Sequence, residues 1–326
     1  MKLKIVILLA FLSGAVAFSQ QLPIYSQYIY NKILINPSVA GSDGYTSLSL
    51  TAREQWVGYD GTPRTYSVAW QTRFLKQSYT IKHRGGSKQS FKSSSSGRVG
   101  MGGYIFSDKN GLIHRNGAQI SYAHHTWVRE NTQLSFGLAA NAYLYRIDAD
   151  KIIFENPNDP LLHSSLRKGL FVPDATFGIN LLNPKYTIGV SADQLFQASG
   201  KIGGANAYKN FSIKRQYFLF ASYDFDQGVS NIIQPSFLFM TSEQMMPQAD
   251  IGVTYIFHDD FWIGSAYRTS KAVIATVGTN YNNFFISYSF DFTLSEIQRV
   301  TYGTHELSFA MKFGDSSRKY KWLDRY

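Results

Sequence analysis

The chain has 326 residues, a formal net charge of +10, no cysteine, 16% aromatic residues and only 17% charged residues. Without cysteine no disulfide framework can hold it together, so stability must rest on hydrogen-bonded sheet and packing. The positive balance alone would suit nucleic acid or anionic lipid, but no RRM, zinc-finger or helix-turn-helix signature accompanies it, and nucleic acid is excluded as an expected partner.

In chain order, the first element is MKLKIVILLAFLSGAVAFSQ, residues 1–20. Lys2 and Lys4 precede an apolar run from Ile5, and Ala15-Val16-Ala17 places small residues at a cleavage site. This pattern predicts a secretory signal peptide, too short for a membrane span. Residues 21–44 come next, and their core YSQYIYNKILINPSVAGS does not alternate. Tyr25, Tyr28, Ile29, Lys32 and Ile33 fall at helical spacing, and Asn36-Pro37 ends any helix because a residue before proline avoids the α region. Gly41 through Gly44 then turn the chain into the first expected strand.

From residue 45 to 313 the dominant signal is period-two alternation in segments of about ten residues. In RTYSVAWQTRF (64–74), Tyr66, Val68, Trp70, Thr72 and Phe74 oppose Thr65, Ser67, Ala69, Gln71 and Arg73. Fourteen such segments are expected, near 45–54, 64–74, 98–107, 116–125, 132–146, 174–182, 185–193, 215–224, 231–241, 248–257, 260–268, 272–279, 283–291 and 305–313. The second face is small and polar rather than charged, which suits a barrel interior better than the outer face of a soluble β-sandwich. The predicted fold is therefore all-β: a transmembrane outer-membrane β-barrel of about 14 antiparallel strands with a short plug-like N-terminal segment. Trp70, Trp127, Trp262, Tyr267 and Tyr281, near segment ends, are expected as interfacial girdles.

Alternate connections are short (TWVREN, LNPK, FHDD, NYNN), as expected of periplasmic turns, and the opposite set includes long links at 147–173, 194–214 and 292–304, as expected of external loops. The basic, serine-rich stretch at 75–97 breaks the rule on the periplasmic side and reads as an insertion. Residues 314–326 read as a periplasmic tail.

The ordered set YSQYIYNKILINPSVAGS, REQWVGYDGTPRTYSVAW, GMGGYIFSDKNG, LSFGLAANAYLYRIDADKIIFENPNDP, DDFWIGSAYR and ISYSFDFTLSEIQRVTYGTHELSF resembles the PorP/SprF family of outer-membrane proteins. Its hallmark is a tyrosine-rich S-Q-Y-x-x-N segment followed by N-P-x-x-A-G. The resemblance implies a non-enzymatic component of the type IX secretion and gliding machinery of Bacteroidetes. Such a protein would dock a large secreted adhesin through its C-terminal sorting domain, or couple to periplasmic secretion-machinery and peptidoglycan-binding components. A porin-like channel for small solutes is the alternative reading.

No catalytic, cofactor or metal site is expected. His124-His125 and His305-Glu306 are neighbours on strands, whose side chains point to opposite faces and chelate poorly. His258-Asp259-Asp260 reads as a solvated turn, and neither G-x-x-x-x-G-K-[ST] nor G-x-S-x-G occurs. Candidate partner-binding residues are the loop apolar residues Leu161, Leu162, Leu170, Phe171, Leu195 and Phe196, with Tyr59 and Arg64 of the GYDGTPRT turn. Tyr25, Tyr28, Ile29, Asn36 and Pro37 are the candidate plug residues, and outer-membrane lipid is the expected surroundings.

Overall fold

The computed structural model describes residues 25–74, 98–129, 131–148, 169–197, 199–200, 211–212, 214–228, 230–243, 245–258 and 260–313. Fourteen antiparallel strands close on themselves: β1 (Thr46–Glu54), β2 (Arg64–Phe74), β3 (Val99–Asn110), β4 (Ile113–Arg129), β5 (Thr132–Ile147), β6 (Leu170–Asn183), β7 (Tyr186–Asp193), β8 (Gln216–Tyr223), β9 (Asn231–Ser242), β10 (Met245–Phe257), β11 (Phe261–Arg268), β12 (Ala272–Tyr281), β13 (Phe284–Thr293) and β14 (Thr304–Phe313). Each strand pairs with its sequence neighbours, and the ring closes where β1 pairs with β14 from Thr46↔Phe313 to Glu54↔His305. Closure leaves no edge to template aggregation.

The alternation sorts faces as its period demands. On β2, Tyr66, Trp70 and Phe74 are exposed on the outside, whereas Thr65, Ser67, Ala69 and Arg73 are buried within. The same holds around the ring, with Ile120, Leu138, Ile251 and Ile263 exposed outward. An apolar outside and a polar inside is the inverse of a soluble protein and what hydrocarbon requires. Among the described residues no helix is long and apolar enough to cross a membrane.

All fourteen expected segments are strands, but β4 and β6 extend well beyond their expected bounds. Three particulars differ from the expectation. Leu170 and Phe171 are not loop residues; they open β6, where Leu170 packs partly buried and Phe171 faces outward, 63% exposed. Trp262 is no girdle residue, since it points inward and stacks on Phe285 at 4.7 Å between ring centroids. The inner face is also not free of charge: Arg53, Asp250, Arg268, Asp291 and Glu306 are all buried there. The stretch 75–97, the tail 314–326 and Leu161 and Leu162 lie outside the described residues.

The two ends of the barrel differ. One carries the chain entry into β1, the exit from β14 and the tight links 184–185 and 282–283. The other carries 55–63, 148–169, 194–215 and 294–303. The first end also carries the link 75–98 and the second the tight links 111–112 and 243–244; the four longer loops of the second end are those expected on the outer side.

Because Ile120 lies near the middle of β4 and is 63% exposed on the outer face, Ile120→Arg should destabilise the inserted barrel by about 2–4 kcal/mol. The temperature at which the purified protein loses its compact gel mobility should fall accordingly, whereas Gln119→Ser, on the inner face, should shift it far less.

Candidate functional site

Residues 25–44 occupy the interior of the barrel and make their contacts with its inward-facing side chains. The helical spacing of the tyrosines gives no α-helix. The segment runs through turns and two short 3-10 helices, Lys32–Leu34 and Pro37–Val39. Asn36 caps the second. Its Oδ1 accepts from the Ser38 amide (2.9 Å) and the Ser38 hydroxyl (2.6 Å), while its Nδ2 donates to the carbonyls of Ile179 (3.1 Å) and Val190 (3.0 Å). One buried amide thus uses all four of its hydrogen-bonding positions. Pro37 follows at the first helical position, where its missing N–H costs nothing.

The wall is shaped to receive this turn. The register aligns Gly100, Ala123, Gly137, Gly178 and Ser191 side by side across β3 to β7. The segment lies on this shelf so closely that a Cβ added at Gly178 would sit 2.0 Å from Asn36 Oδ1. At Gly137 it would be 2.2 Å from the Ser38 nitrogen, and at Gly100 1.9 Å from the Ala40 oxygen. Ser191 Oγ donates to the Ile35 carbonyl at 2.5 Å. His125, fully buried, is held at Nδ1 by Ser135 (2.7 Å), which leaves Nε2 to donate to the Ala40 carbonyl at 3.0 Å. Gly41, at φ +66°, then passes β2, where a Cβ would meet the Thr72 oxygen at 2.5 Å. Asn36, Pro37 and Gly41 of N-P-x-x-A-G thus each have a structural reason, and Ala40 between them is fully buried.

At its other end the segment is held by charge. Glu306 accepts from the Ser26 amide (2.8 Å) and the Gln27 amide (3.0 Å), and Arg53 bridges Glu306 and Asp291 at 2.8 Å each. Arg268 grips Asp250 through Nε and Nη2 and reaches Asp291 at 3.2 Å, while the Ser26 hydroxyl donates to Asp291 at 2.6 Å. Gln27 also bonds the Ser287 hydroxyl. Two guanidiniums and three carboxylates from β1, β10, β11, β13 and β14 therefore close around two residues of the segment. Between the two anchor regions, Ile33 packs among Ala69, Tyr104 and Ala40, and Tyr28 and Val39 pack with Phe220, Leu238 and Met240. Tyr30 lies 5.0 Å from both Trp262 and Phe285.

One cavity that remains beside the segment, of about 110 Å³, lies among Ile29, Asn31, Ser47, Gln71, Phe285 and Lys312. Among the described residues no group of three or more metal-ligating side chains occurs.

At the outer end, loops 55–63 and 294–303 are joined by their backbones, Val57 N donating to the Gly303 carbonyl (2.9 Å) and Tyr302 N to that of Val57 (2.7 Å). The Tyr302 ring covers Gly58. Tyr59, Val300 and Tyr302 stand exposed on this ledge, Tyr302 at 78%. Arg64 lies beside it, 3.5 Å from Glu54. On loop 194–215, Phe196 is 72% exposed, while Leu195 is partly covered and its carbonyl accepts from Arg215. The candidate plug residues are thus brought together, and the candidate partner residues are divided between the outer loops and the start of β6. The charged anchor went unread; a lone charge between outward apolar residues of a strand, as in Phe290-Asp291-Phe292, is the signal for it.

A closed, filled, antiparallel barrel with an apolar exterior defines the class: a β-barrel membrane protein of the outer-membrane type. Several outer-membrane barrels of known structure are similar in outline. The Acinetobacter baumannii outer membrane protein Omp33 covers 82% of this chain and 99% of its own at 6% identity (TM-score 0.43). The Pseudomonas putida toluene transporter TodX covers 86% and 92% at 9% (0.45). The monoaromatic hydrocarbon channel CymD covers 92% and 96% at 10% (0.47). No curated protein matches the chain in sequence. The model of the type IX secretion system membrane protein PorP/SprF matches residues 17–311, and the chain belongs to that family.

Valine at Gly137 would have to displace the Ser38 backbone, and overpacking of this kind costs about 1–3 kcal/mol. Gly137→Val should therefore lower the thermal transition and make the segment a substrate for protease in detergent, whereas Ala139→Val on the same face should do so less. Removing Glu306 leaves Arg53 paired with Asp291 but strips the buried Ser26 and Gln27 amides of their acceptor, at a cost of about 1–3 kcal/mol each. Glu306→Ala should show a larger fall in the same thermal transition than Glu54→Ala, whose side chain is half exposed.

Proposed function

We propose that the protein is a docking scaffold of the type IX machinery that holds a large secreted adhesin at the cell surface through the adhesin's C-terminal sorting domain. The observation that carries this reading is the occupied interior. A barrel whose lumen is packed with its own chain offers no path for a polypeptide, so its use to a secretion system lies in its faces. Residues 25–44 act as a fixed plug, and residues 1–20 as a signal peptide removed on export, placing the mature chain in the outer membrane. No catalytic chemistry is assigned to it.

The outer ledge of Tyr59, Val300 and Tyr302, with Phe196 on loop 194–215 across the barrel mouth, is the surface offered to the sorting domain. Exposed aromatic side chains on loops held by their own backbone bonds are favourable anchors, because little entropy is lost when they are covered. Periplasmic secretion-machinery or peptidoglycan-binding components would meet the opposite end. The porin-like reading is the weaker one, since it needs the segment to leave a shelf where the backbone is packed against glycine.

The test is affinity recovery of a tagged copy from gently solubilised outer membrane, together with conductance in planar bilayers. A near-stoichiometric large exported protein, lost in Tyr59→Asp/Tyr302→Asp while the barrel stays folded, is the expected result, with no steady conductance. Recovery of periplasmic components alone would move the role to the motor side. The barrel alone with a stable open state would make it a pore.

A further inference from the structure

On one sector of the barrel's outward face the strand register assembles a charged row. His305 of β14, Glu54 of β1, Arg64 of β2, Lys109 of β3, His114 of β4 and Arg146 of β5 stand side by side, each paired with the next. All lie at or next to the strand end that bears the longer loops. Their chain neighbours Arg53, Thr65, Asp108, Arg115, Tyr145 and Glu306 are buried on the inner face, so the row itself faces away from the lumen. Glu54 is already engaged, 3.5 Å from Arg64 Nε and accepting from the Tyr66 hydroxyl at 3.3 Å. Lys109 and Arg146 are in no salt bridge with a described residue. With histidine neutral, the cations Arg64, Lys109 and Arg146 therefore face the single carboxylate of Glu54. The next outward row toward the middle of the wall brings Tyr66, Ser107 and Asn116 together, and the one after it Leu50, Val68, Ile105 and Ala118. The surface thus passes from cationic through polar to apolar in two steps of about 7 Å. Other sectors lack this gradient. Tyr267, Val273 and Phe292 pair across β11, β12 and β13 and stand exposed one residue from the same end, and at the opposite end of the charged sector stand Phe74 and Phe313.

We propose that this sector is a binding site for a phosphorylated glycolipid of the outer leaflet. Its phosphates pair with Arg64, Lys109 and Arg146, its sugar hydroxyls reach Tyr66, Ser107 and Asn116, and its acyl chains lie along the apolar rows below. Cationic side chains at a membrane surface attract anionic headgroups, and a guanidinium fork holds phosphate through two parallel hydrogen bonds. The extent of the row selects the kind of lipid. From Arg64 to Arg146 it crosses three strand spacings, about 14 Å. Barrel strands tilt by about 35–45°, so a row perpendicular to them climbs through the interface. Beyond its low end His305 pairs with Phe290 and Phe290 with Ala275, on apolar wall, whereas Arg146 at its high end lies one residue from the end of β5. A tall headgroup with phosphate at more than one level matches such a row, and a phospholipid with a single phosphate does not. The site is on the wall rather than at the mouth, so it is independent of any adhesin.

The test titrates the full barrel in mild detergent with purified rough-type lipopolysaccharide and reads bound lipid by native mass spectrometry. Each cation at a membrane surface is worth about fivefold in affinity, so Arg64→Gln/Lys109→Gln/Arg146→Gln should bind on the order of a hundredfold more weakly. Lys109→Gln alone, which breaks no salt bridge, should lose about fivefold. Lys271→Gln, which removes an exposed cation in the turn after β11, should change nothing. Compact gel mobility confirms that each variant is folded. Enzymatically dephosphorylated lipopolysaccharide should bind the unmodified barrel as weakly as the intact lipid binds the triple variant. Equal binding by the unmodified barrel and the triple variant, or of the phosphorylated and dephosphorylated lipid, would overturn the proposal. Displacement by inorganic phosphate beyond that by chloride at equal ionic strength would overturn it too, in favour of a free-phosphate site. Tighter binding of phosphatidylglycerol than of lipopolysaccharide would do the same, in favour of the inner leaflet.

Discussion

The structure depends on how closely one turn of backbone approaches the barrel wall. Residues 36–41 lie against β3, β5 and β6 at a distance that no side chain at Gly100, Gly137 or Gly178 could tolerate. That approach lets Asn36 reach two wall carbonyls, lets His125 reach the Ala40 carbonyl, and brings Ile33 and Val39 against the inward aromatics. Shape comes first here and hydrogen bonding depends on it. Were the shelf one methyl group higher, the donors and acceptors would still be present but out of reach of one another.

The charged anchor solves a different problem. Inside a membrane barrel, polar groups must be satisfied by the protein or by trapped water, since lipid offers nothing. Arg53 and Arg268 on the wall face three carboxylates, and the amides of Ser26 and Gln27 complete the coordination of Glu306. Such clusters contribute little net stability compared with an apolar core, but they penalise any arrangement that leaves one member unpaired. The anchor therefore fixes where the segment sits rather than how tightly the barrel as a whole is held.

Much of this architecture was legible in the order of residues. Strict alternation, as in Tyr66-Ser67-Val68-Ala69-Trp70, assigns each residue a face, and fourteen such runs with alternating short and long links define a closed sheet. The tyrosine-rich prelude could be set apart because it lacks the alternation. What could not be read is which inward residue meets which. Gly100, Gly137 and Gly178 form a shelf only once the register of the intervening strand pairs is known. Trp262 resembles a girdle residue by type and position, and only the phase of its strand turns it inward to Tyr30. Asp291 and Glu306 each look like an isolated polar residue until Arg53 comes between them. Phe171 reads as loop because Pro173 interrupts the pattern two residues later, yet the strand carries the proline and Pro173 faces Ala142 across the ladder.

The seam between β1 and β14 joins the first strand of the chain to the last, and the contact of Gln27 with Glu306 bridges residues 279 apart. Contacts of such separation are the slowest to form, because the whole intervening chain must be ordered before they can reward it. A nascent barrel that has threaded its segment but not received its final strand holds Arg53 paired with Asp291 alone and two main-chain amides with no acceptor. Arrival of β14 supplies the acceptor, a second counter-charge and the missing wall in a single step. A chain truncated before its last strand is left with an open, polar-lined edge along β1.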